Sequence, residues 1–171
     1  MGFFRRIFGK DDYVQPMAVS EPPRSTKPAS ISYDPKLIDS LHTDHARLGA
    51  LYERIGKHDK AGEYAQVRTL LAHFKSSLQA HILTENVRFY AYLENALADD
   101  AENARTMHEF RRDMNTIARE VVNFVKAWQN SDFASTAERQ QFTAEYEKVG
   151  GLLEQRLDSE ENSLYPLYQP T

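Results

Sequence analysis

The chain predicts an all-α fold: an antiparallel up-down four-helix bundle with a disordered N-terminal tail. Three observations carry this reading. Apolar residues from Asp34 to Pro166 recur at three- and four-residue steps, the period of a helix buried along one face. The alternation of β-branched residues that marks a half-buried strand is absent. Proline instead crowds the tail, where Pro16, Pro22, Pro23 and Pro28 fall between Gln15 and Ser30, with too few apolar residues between them to build a core.

The elements follow in order. Residues 1–10 form a short amphipathic cationic segment, with Phe3, Phe4, Ile7 and Phe8 beside Arg5, Arg6 and Lys10. Such a segment suits weak, reversible contact with a membrane surface or a partner; a frayed terminus is the alternative, since ten residues are marginal as a helix in water. Residues 11–33 are a disordered linker. Residues 34–171 are the bundle. Asp34 is expected to cap the first helix, with Pro35 in its first turn. Ile38, Leu41, His45, Leu48, Tyr52 and Ile55 then form one stripe, and Gly56 and Gly62 bracket a turn. The second stripe runs from Val67 through Phe74, His81 and Glu85 to Tyr92 and ends near Asp99 and Asp100. The third runs from Met107 through Met114 to Phe124 and Trp128, both expected in packing. The fourth runs from Phe142 through Val149, Arg156 and Glu160 to Leu164, stopped by Pro166. Long helices with short connections pack as antiparallel neighbours.

Composition excludes several function classes. A net charge of −4 leaves no broadly basic face, so a nucleic-acid partner is not expected. The absence of cysteine excludes disulfides, thiolate metal sites and cysteine nucleophiles, and fits a reducing cytoplasm. No apolar run approaches the ~20 residues of a membrane span. Arg5 and Arg6 interrupt the apolar start, so no secretory signal is expected. The expected location is the cytoplasm, with residues 1–10 allowing a place at the inner membrane face. There is no serine triad, glycine-rich phosphate loop or Walker motif, and catalysis is not required by anything in the chain.

The informative feature is polar residues on apolar stripes. His45 lies mid-stripe on the first helix, with His42 at its flank. His81 and Glu85 are one turn apart on the second helix, as are Arg156 and Glu160 on the fourth. An ionised group buried without a partner costs several kcal/mol, so two inward carboxylates demand a metal ion or a cation such as Arg156. The segment from His81 to Tyr90 also echoes that from Arg156 to Tyr165, so each half of the bundle supplies one inward carboxylate one turn after His81 or Arg156. His and carboxylates at helical spacing on facing helices are the way bundles hold metal ions.

On these residues the chain resembles the hemerythrin-like cation-binding domains over roughly residues 36–168. The resemblance rests on Asp44-His45, on the stretch from Leu78 to Asn86, and on the string from Glu160 to Tyr168. It implies non-haem iron, one or two ions, held by His45, His81, Glu85, His108 and Glu160. It also implies a role in sensing or handling dioxygen, another small diatomic or redox state. Two positions depart from the family pattern: Arg156 and Arg112 stand where histidines are expected. A fainter similarity to the bacterial regulator of sigma D family, through His81, Glu85, Arg156 and Glu160, implies the alternative of a metal-free regulator that binds a protein such as a sigma factor. The Arg111-Arg112 pair reads as a solvated face, and His58 and His73 as solvent-side residues.

Overall fold

The computed structural model describes residues 31–171; the amphipathic segment and the linker up to Ser30 lie outside it. The described residues form four long helical arms and contain no strand. Helix α1 is Leu37–Lys60 and α2 is Tyr64–Thr84. The second arm continues through a π-helical turn, Glu85–Phe89, into the short helix α3, Tyr90–Ala96. Helix α4 is Ala101–Trp128 and α5 is Thr136–Ser159. The last arm then passes through a second π-helical turn, Glu160–Leu164, and a 3-10 turn, Tyr165–Leu167. Each arm packs against its neighbours in sequence, and α1 closes the ring against α5, as a four-helix up-down bundle requires. No helix among the described residues is long and apolar enough to cross a membrane.

Local chemistry sets the ends. Asp100 caps α4 by accepting from the Asn103 backbone N–H at 3.1 Å. Ser135 and Glu138 form a reciprocal capping box at the start of α5, which satisfies two of the amide donors a helix start leaves open. At α1 the expected cap is displaced. The first helical residue is Leu37, and the Asp34 carboxylate instead accepts from the Lys36 N–H at 3.0 Å in the preceding turn.

Two further expectations need correction. Gly56 does not bracket a turn; α1 runs through it to Lys60, and only Gly62, at φ +71°, breaks the chain. Gly56 is a packing position, because a Cβ there would stand 2.5 Å from the Tyr146 hydroxyl oxygen. Pro166 does not end the fourth helix either. Regular α-helix stops at Ser159, and Pro166 sits inside the closing 3-10 turn.

The core is divided along the bundle axis. One apolar cluster gathers Tyr52, Phe74, Val121, Phe124, Trp128 and Phe142. The other gathers Leu41, Phe89, Tyr92, Met107, Leu164 and Tyr168. Between their contributions on three of the four arms lie the polar residues: His45 between Leu41 and Leu48, Glu85 between Ile82 and Phe89, and Arg156 and Glu160 between Leu153 and Leu164. An apolar plug on either side removes these groups from water.

Candidate metal centre

Four of the five residues singled out from the sequence converge. His45, His81, Glu85 and Glu160 are all buried, and one donor atom from each lies within 4.8 Å of the other three. The Nε2 atoms of His45 and His81 face each other at 3.2 Å. Glu160 Oε2 is 3.3 Å from His45 Nε2, and Glu85 Oε2 is 3.7 Å from His81 Nε2. His108 is not brought to this group; it lies exposed on α4, because the buried stripe of that helix runs through Met107, Met114 and Ala118. Arg112 is exposed as well. Its neighbour Arg111 is not solvated as expected: it is half-buried, ion-paired with Glu94 and stacked over the Tyr90 ring at 5.2 Å.

The two carboxylates arrive by the same local device. Each begins a π-helical turn, Glu85 on the second arm and Glu160 on the fourth. The sequence echo between the two halves is thus an echo in backbone form. A π turn is an uncommon insertion in an α-helix and concentrates at functional sites. The end of each turn and the residue after it face inward: Phe89 and Tyr90 on one arm, Leu164 and Tyr165 on the other, are buried.

Residues that stripe analysis did not place complete the site. The Tyr165 hydroxyl lies 3.1 Å from His45 Nε2 and donates to Glu85 Oε1 at 3.2 Å. His45 Nδ1 is 2.8 Å from Glu161 Oε1; an Nδ1–H donated there leaves the Nε2 lone pair facing the cluster, the usual way a carboxylate orients a ligating imidazole. His42 reaches Glu161 at 3.2 Å from the half-exposed side and does not join the buried group. The signal for Glu161 and Tyr165 was their place in the string from Glu160 to Tyr168; helical spacing alone did not single them out.

Arg156 occupies the same cavity floor. Its side chain is buried and its guanidinium is ion-paired with Glu160 Oε1. It also donates to the Phe110 carbonyl and the Tyr90 hydroxyl, each at 3.2 Å. This network divides the charge unequally. Burial opposes ionisation of Glu160, but His45 and Arg156 outweigh it and hold this carboxyl below its ordinary range. At Glu85 burial and the adjacent Glu160 charge outweigh the Arg156 charge and the Tyr165 hydrogen bond and push this carboxyl well above the ordinary range. Burial, reinforced by the neighbouring His45, depresses the His81 pKa to about 4. Burial also pulls His45 down, yet Glu160 and Glu161 more than reverse this.

Do these residues fit a cation? Four buried polar atoms have no hydrogen-bond partner: His81 Nδ1, Glu85 Oε2, Glu160 Oε2 and Arg156 Nε. An unsatisfied buried polar atom costs about 1–3 kcal/mol. Two of the four are carboxylate oxygens beside imidazole nitrogens. Ligands about 2.1 Å from one divalent ion in a tetrahedral shell lie about 3.4 Å apart, and the observed spacings of 3.2, 3.3 and 3.7 Å bracket that value. Two imidazoles and two carboxylates suit a divalent transition metal, and two histidines with a carboxylate are a typical iron(II) donor set. The residues fit a metal ion.

Comparison with known families agrees. Residues 36–168 match the hemerythrin HHE cation-binding domain. The chain belongs to the hemerythrin HHE family. No curated protein and no solved structure matches it. As a hemerythrin-like domain it is a cation-binding four-helix bundle. Arg156 puts a buried positive charge beside the His and Glu cluster, at a position where the resemblance implies a histidine.

Proposed function

We propose that the domain binds non-haem iron through His45, His81, Glu85 and Glu160, and uses it to sense or handle dioxygen, another small diatomic or redox state. One observation carries the reading: two buried carboxylate oxygens without partners face two imidazole nitrogens in a site plugged by apolar residues on both sides. Iron held by these residues would supply a redox-active centre able to interact with a small exogenous molecule. The chain does the rest. Glu161 orients His45, Tyr165 positions a hydroxyl between His45 and Glu85, and the two apolar clusters pack on either side of these residues.

The reading extends to nuclearity. Arg156 stands as a fixed cation against Glu160, so the site is built for one ion where the family pattern allows two. Metal analysis after anaerobic purification and reconstitution with iron(II) tests this. About one iron per chain is expected, bound with a rise in melting temperature, because folded-state ligands add binding energy to stability. Absence of iron, with no stability gain on adding it, favours the second reading.

That second reading is a metal-free four-helix regulator that binds a protein partner such as a sigma factor. The Arg156–Glu160 ion pair supports it, since it neutralises one of the two carboxylates without a metal. It leaves Glu85 Oε2 and Glu160 Oε2 unsatisfied, and for that reason iron is the preferred reading.

A further inference from the structure

A cavity of about 410 Å³ lies between the helices, beside the metal centre. Its inner end is formed by His81, Arg156 and Glu160, and its walls by apolar side chains that include Leu48, Phe74, Leu78, Met114, Ile117 and Val121. Gly49 of α1 and Gly150 and Gly151 of α5 also line it, and all three are exposed or half-buried. The seam between α1 and α5 is therefore lined by residues without side chains. A Cβ on Gly49 or Gly151 would meet nothing within 4 Å, so the space there is open. The exposed carboxylates of Glu53, Glu147 and Glu154 stand around the same seam. The reciprocal pair Tyr52 and Tyr146, each donating to the other's backbone carbonyl at 2.7 and 2.9 Å, braces α1 against α5 and holds this end of the cavity open.

We propose that this cavity binds an uncharged, chain-like apolar molecule carrying one hydrogen-bond acceptor, such as a long-chain alcohol or ketone, with the acceptor toward Arg156. Four features select that chemistry. The volume falls in the range of about 300–1,000 Å³ typical of small-molecule sites and far exceeds a diatomic. The walls offer apolar contact and few polar partners, which favours a hydrocarbon chain. Three rim glutamates, with Glu160 at the inner end, disfavour an anionic head group. Arg156 Nε is a buried donor with no partner, and an acceptor that reaches it removes the penalty of leaving it unsatisfied. A cationic head gains little, because the rim carboxylates are exposed and screened by water, and it would be repelled by Arg156 inside. The site does not depend on the metal reading, since its walls and its donor belong to the protein alone.

Isothermal titration calorimetry of the full chain, metal-free and iron-loaded, with decanol, decanoate and decylammonium tests the proposal. Saturable binding of decanol at one site per chain is expected, at least about tenfold tighter than decanoate, in line with an uncompensated anion near buried carboxylates. Gly49→Leu and Gly151→Leu place side chains in open space at the mouth. Both should fold as the wild type does by circular dichroism, and should weaken decanol by about tenfold or more. Arg156→Lys keeps a positive charge toward Glu160 but has no Nε donor, and should weaken decanol several-fold. No saturable decanol binding, a preference for decanoate, or tighter decylammonium binding that Arg156→Lys leaves unchanged would each overturn the proposal. Because binding is read without iron, its failure is separate from failure of the metal reading.

Discussion

The Nε2 atoms of His45 and His81 face each other at 3.2 Å across the interface of α1 and α2. Two imidazoles placed edge to edge in this way repel as two cations. His81 answers by remaining neutral, its pKa depressed to about 4 by burial and by His45. A neutral imidazole offers a lone pair, and His81 brings one to the cluster it forms with His45 and the two carboxylates.

His81→Ala should therefore abolish stoichiometric iron and remove the gain in melting temperature that iron confers. Iron content and differential scanning calorimetry check this. His108→Ala is the control: an exposed residue on α4 should leave iron content and stability unchanged. Loss of iron in the control would place His108 back among the ligands.

Glu85→Gln separates the cost of the site from its use. In the metal-free protein Glu85 is held protonated, because its folded pKa lies well above the ordinary value. A group raised in this way contributes stability below its unfolded pKa and loses that contribution as pH rises through its folded pKa. Glu85→Gln should match or exceed the metal-free wild type in stability, most clearly at alkaline pH, while binding iron poorly. Urea unfolding at several pH values gives the comparison.

Iron uptake should release protons. The proton on Glu85 must leave before the carboxylate coordinates, since metal ligands bind deprotonated. Apparent iron affinity should rise with pH from the ordinary carboxyl range upward. Calorimetric titration in two buffers of different ionisation enthalpy counts the protons; a count of zero would mean that Glu85 stays outside the coordination shell.

Arg156 is the pivot between one ion, two ions and none. In the metal-free protein Arg156→Ala leaves the buried Glu160 carboxylate with His45 alone beside it and should destabilise, by up to about 3–5 kcal/mol, the cost of breaking a buried pair. Arg156→His supplies a neutral ligand where the guanidinium now sits, and should raise iron above one per chain. The pair of irons would be recognised by loss of the paramagnetic resonance of an isolated ferric ion.

Two helix glycines should respond in opposite directions to alanine. At Gly49 a Cβ meets nothing within 4 Å, so Gly49→Ala should stabilise by about 0.5–1 kcal/mol through helix propensity. At Gly56 the Cβ would stand 2.5 Å from the Tyr146 hydroxyl oxygen. Tyr146 can retreat only by giving up its hydrogen bond to the Tyr52 carbonyl and its stacking on the Tyr52 ring at 4.5 Å. Gly56→Ala should destabilise by about 1 kcal/mol, as these losses outweigh the propensity gain. Thermal melts of the two variants suffice.

Apolar periodicity defines the four arms and most of their inner faces, because a stripe such as Leu41, His45, Leu48, Tyr52 and Ile55 has one apolar side and therefore one way to face a core. It determined that His81, Glu85, Arg156 and Glu160 are inward, since they interrupt those stripes at the same spacing on two arms. Which of them meet depends on how the helices pack. His108 is expected only from the family resemblance; the rotation of α4 is set by packing of Met107 and Met114, and that leaves the ring in solvent. The two π turns were illegible for a related reason: Glu85–Phe89 and Glu160–Leu164 carry no local signal, and the widened turn is held by long-range contacts of the residues it aims inward, such as Tyr165 on His45 and Glu85. Glu161 lies on the second of these turns and Tyr165 directly after it, at the start of the 3-10 turn. Local periodicity fixes which side of a helix is buried; the partners across the core are chosen by four helices packing at once.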